Sequence, residues 1–429
     1  MNFQKVKHYF VYLLYALGVL LLIKISLSDG DFKVFLEASK FVLRSKNPYH
    51  TWIFINEGNY AFFFNSPLWA TLLIPFSFLP NVITNFIWLL LNVWFLFRIW
   101  NLLSNYLDFQ NTLAKNQINQ LLTLIILMSI RYILYNFEMI QMTIFLLWGS
   151  LESLELLKKD KSLYGGALLA LIINIKILPI VLLPYLLYRK KMKGMVITLV
   201  FSLIYLLIPC FILGWKTNLF FLSEWWSVIN PGNQEHLMEV DLGLHSLTAL
   251  IPSLLTKTQG VLPYPRNIFN FNVVTTTYIL NGVRCGLVAF TLFFLGWPPF
   301  KPVKSKIYEI REISYLFLII PLIFPHQQKY AFFLDLPALC YITYFIIVNY
   351  NKSSRKVNTN LFYLILTLFI LSFILMTLTT DSVIGRNLNL ITQHYKTITY
   401  GAILLIFILI LCSPNNLIKK IEVIKAEIQ

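Results

Sequence analysis

Long apolar segments recur from one end of this chain to the other, and short basic clusters separate them. Of its 429 residues, 58% are hydrophobic and 13% are charged, whereas a soluble globular protein carries about 25% charged residues. Backbone groups in lipid must be satisfied internally, which favours helices for apolar segments of this length. The pattern therefore predicts an all-α polytopic membrane protein.

The net charge of +16 is concentrated between the apolar segments, at 158–161, 189–193, 301–306 and 352–356. Cytoplasmic loops of membrane proteins accumulate Lys and Arg. We therefore interpret the charge as a topological signal and expect no nucleic-acid partner. The four cysteines lie in or beside apolar segments and form no C-x-x-C pair, a pattern that indicates neither a disulfide framework nor a zinc site.

Placing each basic cluster inside predicts a bundle of about 12 transmembrane helices in the cytoplasmic (inner) membrane, with both termini cytoplasmic. Residues 162–188 lie between two inside clusters, so they must go out and come back as a hairpin of two short helices. Three prolines interrupt residues 61–80, which predicts a re-entrant or outer-leaflet segment there. The other predicted spans lie near 9–28 (a retained signal anchor), 83–104, 118–136, 139–157, 194–214, 272–296, 312–325, 330–349, 359–379 and 397–413.

Two outer loops, residues 29–61 and 215–271, are long for a membrane protein of this kind. Long loops on one face usually hold a functional site. The chain shows no internal repeat and no separate soluble domain. We therefore expect residues 1–429 to form one integral-membrane domain, with these two loops forming its active-site face.

An acidic pair, Asp29 and Asp31, follows the first apolar segment directly. From Asp31 onward, apolar and charged residues fall on opposite sides of a helix, which predicts an amphipathic helix in the membrane interface. Asn47-Pro48 should end it. Asp31 or Asp29 is then a candidate general base at the lipid–water boundary. The alternative is that Asp31 only caps the helix.

Several cations are candidates for binding a phosphate. Lys176 lies at the tip of the predicted hairpin among apolar residues, and an intramembrane lysine is a functional candidate by default; snorkelling to the interface is the alternative. Arg131 lies near the outer end of its predicted span. His326 and Lys329 share a tight outer turn, where capping that turn is the alternative role.

Polar and aromatic side chains on the predicted outer face suit a carbohydrate, which offers hydroxyl groups and C–H faces. Some of them lie at the tight turn between two predicted spans, where they can instead close that turn. Others lie in the loop 215–271, where Trp residues can instead belong to an ordinary aromatic belt. The candidate sugar- or acceptor-binding residues are Glu138, Gln141, Trp225, Trp226, Asn233, Gln234 and His236.

Five short stretches, in this order along most of the chain, carry a resemblance to a known family. They are Ser28-Asp-Gly-Asp31-Phe with Asn47-Pro-Tyr49, Asn65-Ser-Pro67, Glu138-Met-Ile-Gln141, Lys176-Ile-Leu-Pro179 and Phe324-Pro-His326. With them the chain resembles membrane glycosyltransferases of the GT-C superfamily. More narrowly, it resembles glycosyltransferase family 87, the polyprenyl-phosphate-mannose-dependent mannosyltransferases.

The resemblance implies a GT-C-like bundle, a polyprenyl-phosphate sugar donor, a lipid or glycan acceptor, and no metal or other cofactor. The family's catalytic base corresponds to Asp31, and the family's usual Gly-Gln pair appears here as Ile140-Gln141. Asp29-Gly-Asp31 also resembles a metal-binding DxD motif. Two other functions stay open: a transporter or flippase of lipid-linked sugars, whose in-span cations would line a path, and a polymerase or ligase of lipid-linked glycans. The acidic pair and the long outer loops favour the glycosyltransferase.

Overall fold

The computed structural model describes residues 16–428, except for 57, 231, 234–235, 240, 259, 297–298 and 351–356. The described regular secondary structure is mostly helical, and one antiparallel hairpin is formed by β1 (Ile53–Asn56) and β2 (Asn59–Ala61). The predicted signal anchor is described only from residue 16 onward, and Gln234 lies outside the described residues.

The described α-helices are numbered α1 to α21 in chain order. They are Ala16–Ser26, Phe32–Leu43, Pro67–Leu72, Asn81–Leu107, Phe109–Thr112, Lys115–Glu138, Thr143–Lys158, Ser162–Ile175, Leu182–Tyr188, Met192–Leu207, Cys210–Leu213, Trp215–Ile229, Leu247–Leu255, Val273–Leu295, Lys306–Ile323, Leu336–Asn349, Thr359–Phe373, Asp381–Ile384, Arg386–His394, Thr397–Leu411 and Pro414–Ile428. The 3-10 helices Ile74–Phe78, Leu178–Val181 and Lys329–Asp335 and the π-helix Ile374–Leu378 complete the set.

Six described helices are long and apolar enough to cross a membrane, or seven if α19 and α20, bent by 61°, form one span. The prediction of about 12 spans is not confirmed. Helices α7 and α8, with 16 and 14 residues, rise about 24 and 21 Å, less than the roughly 30 Å of a hydrocarbon core. The six are Asn81–Leu107, Lys115–Glu138, Met192–Leu213, Val273–Leu295, Lys329–Asn349 and Thr359–Leu378.

The predicted hairpin at 162–188 is present as two short helical arms, α8 and the Leu178–Val181 helix continued by α9. They meet at Lys176. In the stretch 61–80, the chain forms only α3 and a one-turn 3-10 helix, because proline removes a backbone donor and interrupts longer helices.

Helix α16 lies at the centre of the bundle, with all 14 of its residues buried. Helix α14 lies at the periphery, where Phe293 is 78% exposed and the buried residues are Thr276, Leu280 and Leu295. A long helix that exposes so much apolar surface suits lipid contact.

Helix α2 begins after Asp31 and buries most of the predicted apolar stripe, including Phe32, Phe35 and Leu36. Leu43, the last residue of the helix, is 42% exposed. The location of α2 at a membrane interface stays a prediction.

Candidate active site

Asp31 is held at the start of α2 by the turn between α6 and α7. Its backbone N–H donates to the carbonyl oxygen of Met139 at 2.9 Å. Its side chain makes no capping hydrogen bond; instead, Oδ2 accepts a hydrogen bond from Nε2 of Gln141. Asp31 is thus the N-cap residue of α2 by position, but its carboxylate contacts Gln141 and caps no backbone N–H.

Two backbone positions allow this close approach. A Cβ atom on Gly30 would lie 2.6 Å from the carbonyl oxygen of Met139, so only glycine fits there. Ile140 has φ of +50°, which is rare for a β-branched residue. A glycine at this position would adopt that conformation without strain.

Gln141 accepts one hydrogen bond at its side chain and one at its backbone. Its Oε1 atom accepts a hydrogen bond from the backbone N–H of Met142 at 3.3 Å, and its backbone carbonyl accepts one from Nε1 of Trp88 at 3.1 Å. Because Oε1 already faces a donor, the NH2 group of Gln141 is the part that faces Asp31.

Lys176 lies at the tip of the hairpin, on the same side of the bundle as Asp31. Burial raises the pKa of Asp31 to about 6, although the hydrogen bond from Gln141 and the charge of Lys176 lower it. Burial likewise lowers the pKa of Lys176 to about 8, although the charge of Asp31 raises it. The carboxylate and the ammonium group therefore lie within electrostatic reach of each other.

The turn after α15 brings aromatic rings and a second cation to the end of the bundle where Asp31 and Lys176 lie. Nζ of Lys176 lies 5.6 Å from the ring centroid of Tyr330, and Nζ of Lys329 lies 5.4 Å from that of Tyr135. The two tyrosine rings stack with centroids 6.1 Å apart. The backbone carbonyl of Tyr330 accepts a hydrogen bond from Asn136 on α6 at 3.0 Å. The two lysines therefore flank one stacked tyrosine pair.

His326 adds an imidazole to this end, which we call the site end. Nδ1 of His326 lies 3.1 Å from Oε1 of Glu239. The ring also contacts those of His236 and Phe64, at centroid distances of 4.6 and 5.3 Å. Burial and the charges of His326 and Arg284 lower the pKa of His236 to about 4, so His236 is neutral at pH 7.

The two long loops predicted to face outside contact each other. Just after the first loop, the carbonyl oxygen of Phe64, whose ring contacts His326, accepts a hydrogen bond from Nε1 of Trp225 at 3.1 Å. Asn47 donates to Oε2 of Glu224 at 2.8 Å. Trp226 is 56% exposed, so its ring is available for stacking.

Other predicted site residues make different contacts. Oδ2 of Asp29 accepts a hydrogen bond from Nζ of Lys33 at 2.9 Å. Glu138 is exposed at the last position of α6, and the backbone of Asn233 donates to Asn230 at 3.0 Å.

Arg131 is buried, and its guanidinium donates to the carbonyl of Met376 and to Oγ1 of Thr379, both at 2.7 Å. These bonds tie α6 to the π-helix. Its role in binding the donor stays a prediction.

Three residues at the site end were missed by sequence reasoning as site residues. Asn65 donates from Nδ2 to the carbonyl of Ile175 at 3.0 Å, which anchors the hairpin tip; its Asn-Ser-Pro stretch was the available signal. Tyr330 follows the predicted turn directly. Glu239 carried no signal beyond being an acid in a Trp- and His-containing loop.

Among the described residues, no group of three His, Cys, Asp or Glu side chains could hold a metal ion. Asp29 and Asp31 face different partners, Lys33 and Gln141. A cavity of about 240 Å³ lies at the other end of α7 and is lined by Lys158, Lys306 and neighbouring residues. Asp31, Lys176 and His326 do not line that cavity.

A sequence model of glycosyltransferase family 87 matches residues 63–294, more than half of the chain. The chain belongs to glycosyltransferase family 87. The matched part of this glycosyltransferase contains Gln141, Lys176 and Glu239, while Asp31 precedes it and His326 follows it. No curated protein and no solved structure matches the chain.

Proposed function

We propose that this glycosyltransferase transfers a hexosyl residue, specifically mannose, from a polyprenyl-phosphate sugar to a hydroxyl group of a lipid- or glycan-linked acceptor. The observation that carries the proposal is the carboxylate of Asp31, oriented by Gln141 and within electrostatic reach of Lys176. A base and a phosphate-binding cation at one site are what such a transfer needs.

Asp31 is the general base in this proposal. A pKa of about 6 leaves the carboxylate ionised at neutral pH and makes it a stronger base than an exposed aspartate. The carboxylate takes the proton of the acceptor hydroxyl while the hydroxyl oxygen attacks the anomeric carbon. Asp29 is the weaker candidate, because its carboxylate is engaged by Lys33.

The leaving group is the polyprenyl phosphate, which departs with the electron pair of the broken C–O bond. Lys176 and Lys329, with His326, neutralise its charge through charge-assisted contacts. Direct displacement inverts the anomeric centre. The polyprenyl tail stays in lipid against the apolar outer surfaces of the helices, and neither a sugar-nucleotide site nor a metal is needed.

The acceptor lies against the loop 215–271 in this proposal. Trp225 and Trp226 supply stacking faces, and Glu138, His236 and the amides of Asn233 and Gln234 supply hydrogen-bonding groups. The contact of Trp225 with Phe64, next to His326, supports this placement.

We further propose that the site end faces outside. Lys158, Lys191 and Lys306 line one cavity at the opposite end of the bundle. Clustered Lys residues in loops favour the cytoplasmic face, so the opposite end would be cytoplasmic.

The test is product analysis with purified protein in lipid vesicles. The vesicles receive radiolabelled polyprenyl-phosphate mannose, polyprenyl-phosphate glucose or a nucleotide sugar, together with a membrane lipid extract as acceptor. We expect label in a new glycolipid or glycan only with the polyprenyl-phosphate mannose, and unchanged transfer in excess EDTA. Transfer from the nucleotide sugar alone would contradict the donor. If EDTA abolishes transfer and manganese or magnesium restores it, the protein has a metal site. Movement of intact donor across the membrane without product would indicate a transporter.

A further inference from the structure

Glu239 is a buried carboxylate with hydrogen-bond partners on both oxygens. Its side chain is 1% exposed. Oε2 accepts hydrogen bonds from Oγ of Ser246 at 2.8 Å and Oγ1 of Thr248 at 2.9 Å. Because both hydroxyl donors are on Oε2, the carboxylate is fixed with Oε1 pointing the other way, toward His326.

Oε1 of Glu239 holds His326 at two atoms. It accepts a hydrogen bond from the backbone N–H of His326 and lies 3.1 Å from Nδ1. The backbone N–H of His245 also donates to the carbonyl of Gln327 at 2.8 Å, which ties the loop to the turn. His326 has φ of +55°, a conformation that costs a non-glycine residue free energy and persists only where its surroundings enforce it.

The other atoms of the His326 ring are placed by its neighbours. Phe64 lies against one face, with an interplanar angle of 32°, and the ring of His236 meets it at 89°. Within the described part of the chain, Nε2 has no hydrogen-bond partner, and the side chain is 31% exposed. The carboxylate of Glu239 occupies Nδ1, so Nε2 is the atom left to face a ligand.

We propose that Glu239 is a positioning residue that fixes the orientation of His326, so that Nε2 faces the donor phosphate. The inference rests on the proposed function for the role of His326. It adds that His326 acts as one unit with Glu239, Ser246 and Thr248. Neutral His236, in edge contact, packs against the ring and adds no charge.

The first test is a double-mutant cycle on donor kinetics. Glu239→Gln keeps the shape of the side chain and removes its charge, and we expect the KM for the polyprenyl-phosphate sugar to rise roughly tenfold. In a His326→Gln background, the same substitution should change KM less than about twofold, because its effect acts through the imidazole. Glu239→Asp should recover part of the loss. Glu155→Gln, which alters an acid paired with Lys159 away from the site end, is the matched control and should leave KM unchanged.

Nitrogen NMR of the 15N-histidine-labelled protein is the second test, and it needs no substrate. The chain has six histidines, and the signals of His326 are assigned by their absence in His326→Gln. We expect Nδ1 of His326 to show a hydrogen-bonded N–H in the native protein, and we expect this signal to change in Glu239→Gln. Unchanged signals, or multiplicative kinetic effects of the two substitutions, would overturn the inference. If the native protein uses no lipid-linked donor, the proposed function fails while the NMR result still decides the orientation of His326.

Discussion

Gln141 donates a hydrogen bond from Nε2 to Oδ2 of Asp31, a residue 110 positions earlier in the chain. The backbone N–H of Met142 fixes the amide, so the contact orients the carboxylate rather than merely filling space. Oδ1 of Asp31 has no hydrogen-bond partner among the described residues. A carboxylate with one oxygen held and one available is suited to accept a proton from a bound hydroxyl group.

Asp31→Asn should lower the turnover number for transfer by a factor of about 10² or more. The substitution keeps the shape of the side chain and removes its ability to take a proton. Asp29→Asn is the matched control, because Asp29 lies two residues away in a partly exposed ion pair with Lys33, and it should change turnover by no more than about twofold. Turnover numbers of both variants, at equal amounts of folded protein, decide between them. A dead Asp29→Asn with an active Asp31→Asn would move the base to Asp29.

The pH dependence of turnover should report the ionisation of Asp31. Because burial raises the pKa of Asp31 to about 6, turnover should fall as the pH drops below about 6 and the carboxylate becomes protonated. The hydrogen bond from Gln141 favours the ionised form, so Gln141→Leu should move this acid limb to higher pH. Turnover is measured from pH 5 to pH 8 for both proteins. An acid limb that stays in place or moves to lower pH would separate Gln141 from the base.

The segments that carry the candidate site residues could be predicted from the sequence, but the contacts of their side chains could not. Basic clusters and apolar periodicity predicted the start of α2, the short hairpin with Lys176 at its tip, and the turn with His326. The role of Asp31 as the base stays a prediction. The sequence could not show that its carboxylate contacts Gln141 rather than capping α2, because Gln141 is distant along the chain. Glu239 was missed for the same reason.

The prediction of about 12 spans is not confirmed, because several of the predicted crossings are short helices in the structure. Helices α8 and α9 are apolar because they pack inside the bundle, yet they have only 14 and 7 residues. Helix α15 is also apolar and mostly buried, but its first part carries Glu309 and Glu312. Length and side-chain environment in the structure distinguish these helices from the six long ones.

Lys176→Met should weaken the use of the donor more than that of the acceptor. The ammonium group is proposed to contact the donor phosphate, and a charge-assisted hydrogen bond of about 1.5–3 kcal/mol corresponds to a rise in donor KM of about tenfold or more. Lys159→Met is the matched control, since Lys159 is exposed and pairs with Glu155. Kinetics with each substrate varied separately measure the effect. An unchanged donor KM would mean that Lys176 only snorkels to the interface.

Gly30→Ala should damage both folding and transfer. Its new methyl group would lie 2.6 Å from the backbone oxygen of Met139, so the bond from the Asp31 N–H to that oxygen must break or shift, at a cost of about 1–3 kcal/mol. Gly282→Ala is the control, because a Cβ there meets nothing within 4 Å and alanine favours a helix interior. Thermal unfolding in detergent and transfer assays measure the two effects. A fully active and stable Gly30→Ala would show that α2 does not need this close approach.

The loop 215–271 should face outside, and cysteine labelling in intact cells tests this. The basic clusters at 189–193 and 301–306 belong inside by the charge rule, so the segment between them must carry the loop across the membrane. Asn233→Cys should react with a membrane-impermeant thiol reagent in intact cells, and acceptor should slow the reaction. Lys159→Cys, on an exposed side chain at the opposite end, should react only after the membrane is opened, and the parent protein corrects for labelling of exposed Cys285. The reverse pattern would place the loop in the cytoplasm, and Asp31, Lys176 and His326 with it, because all of them lie at the same end of the bundle.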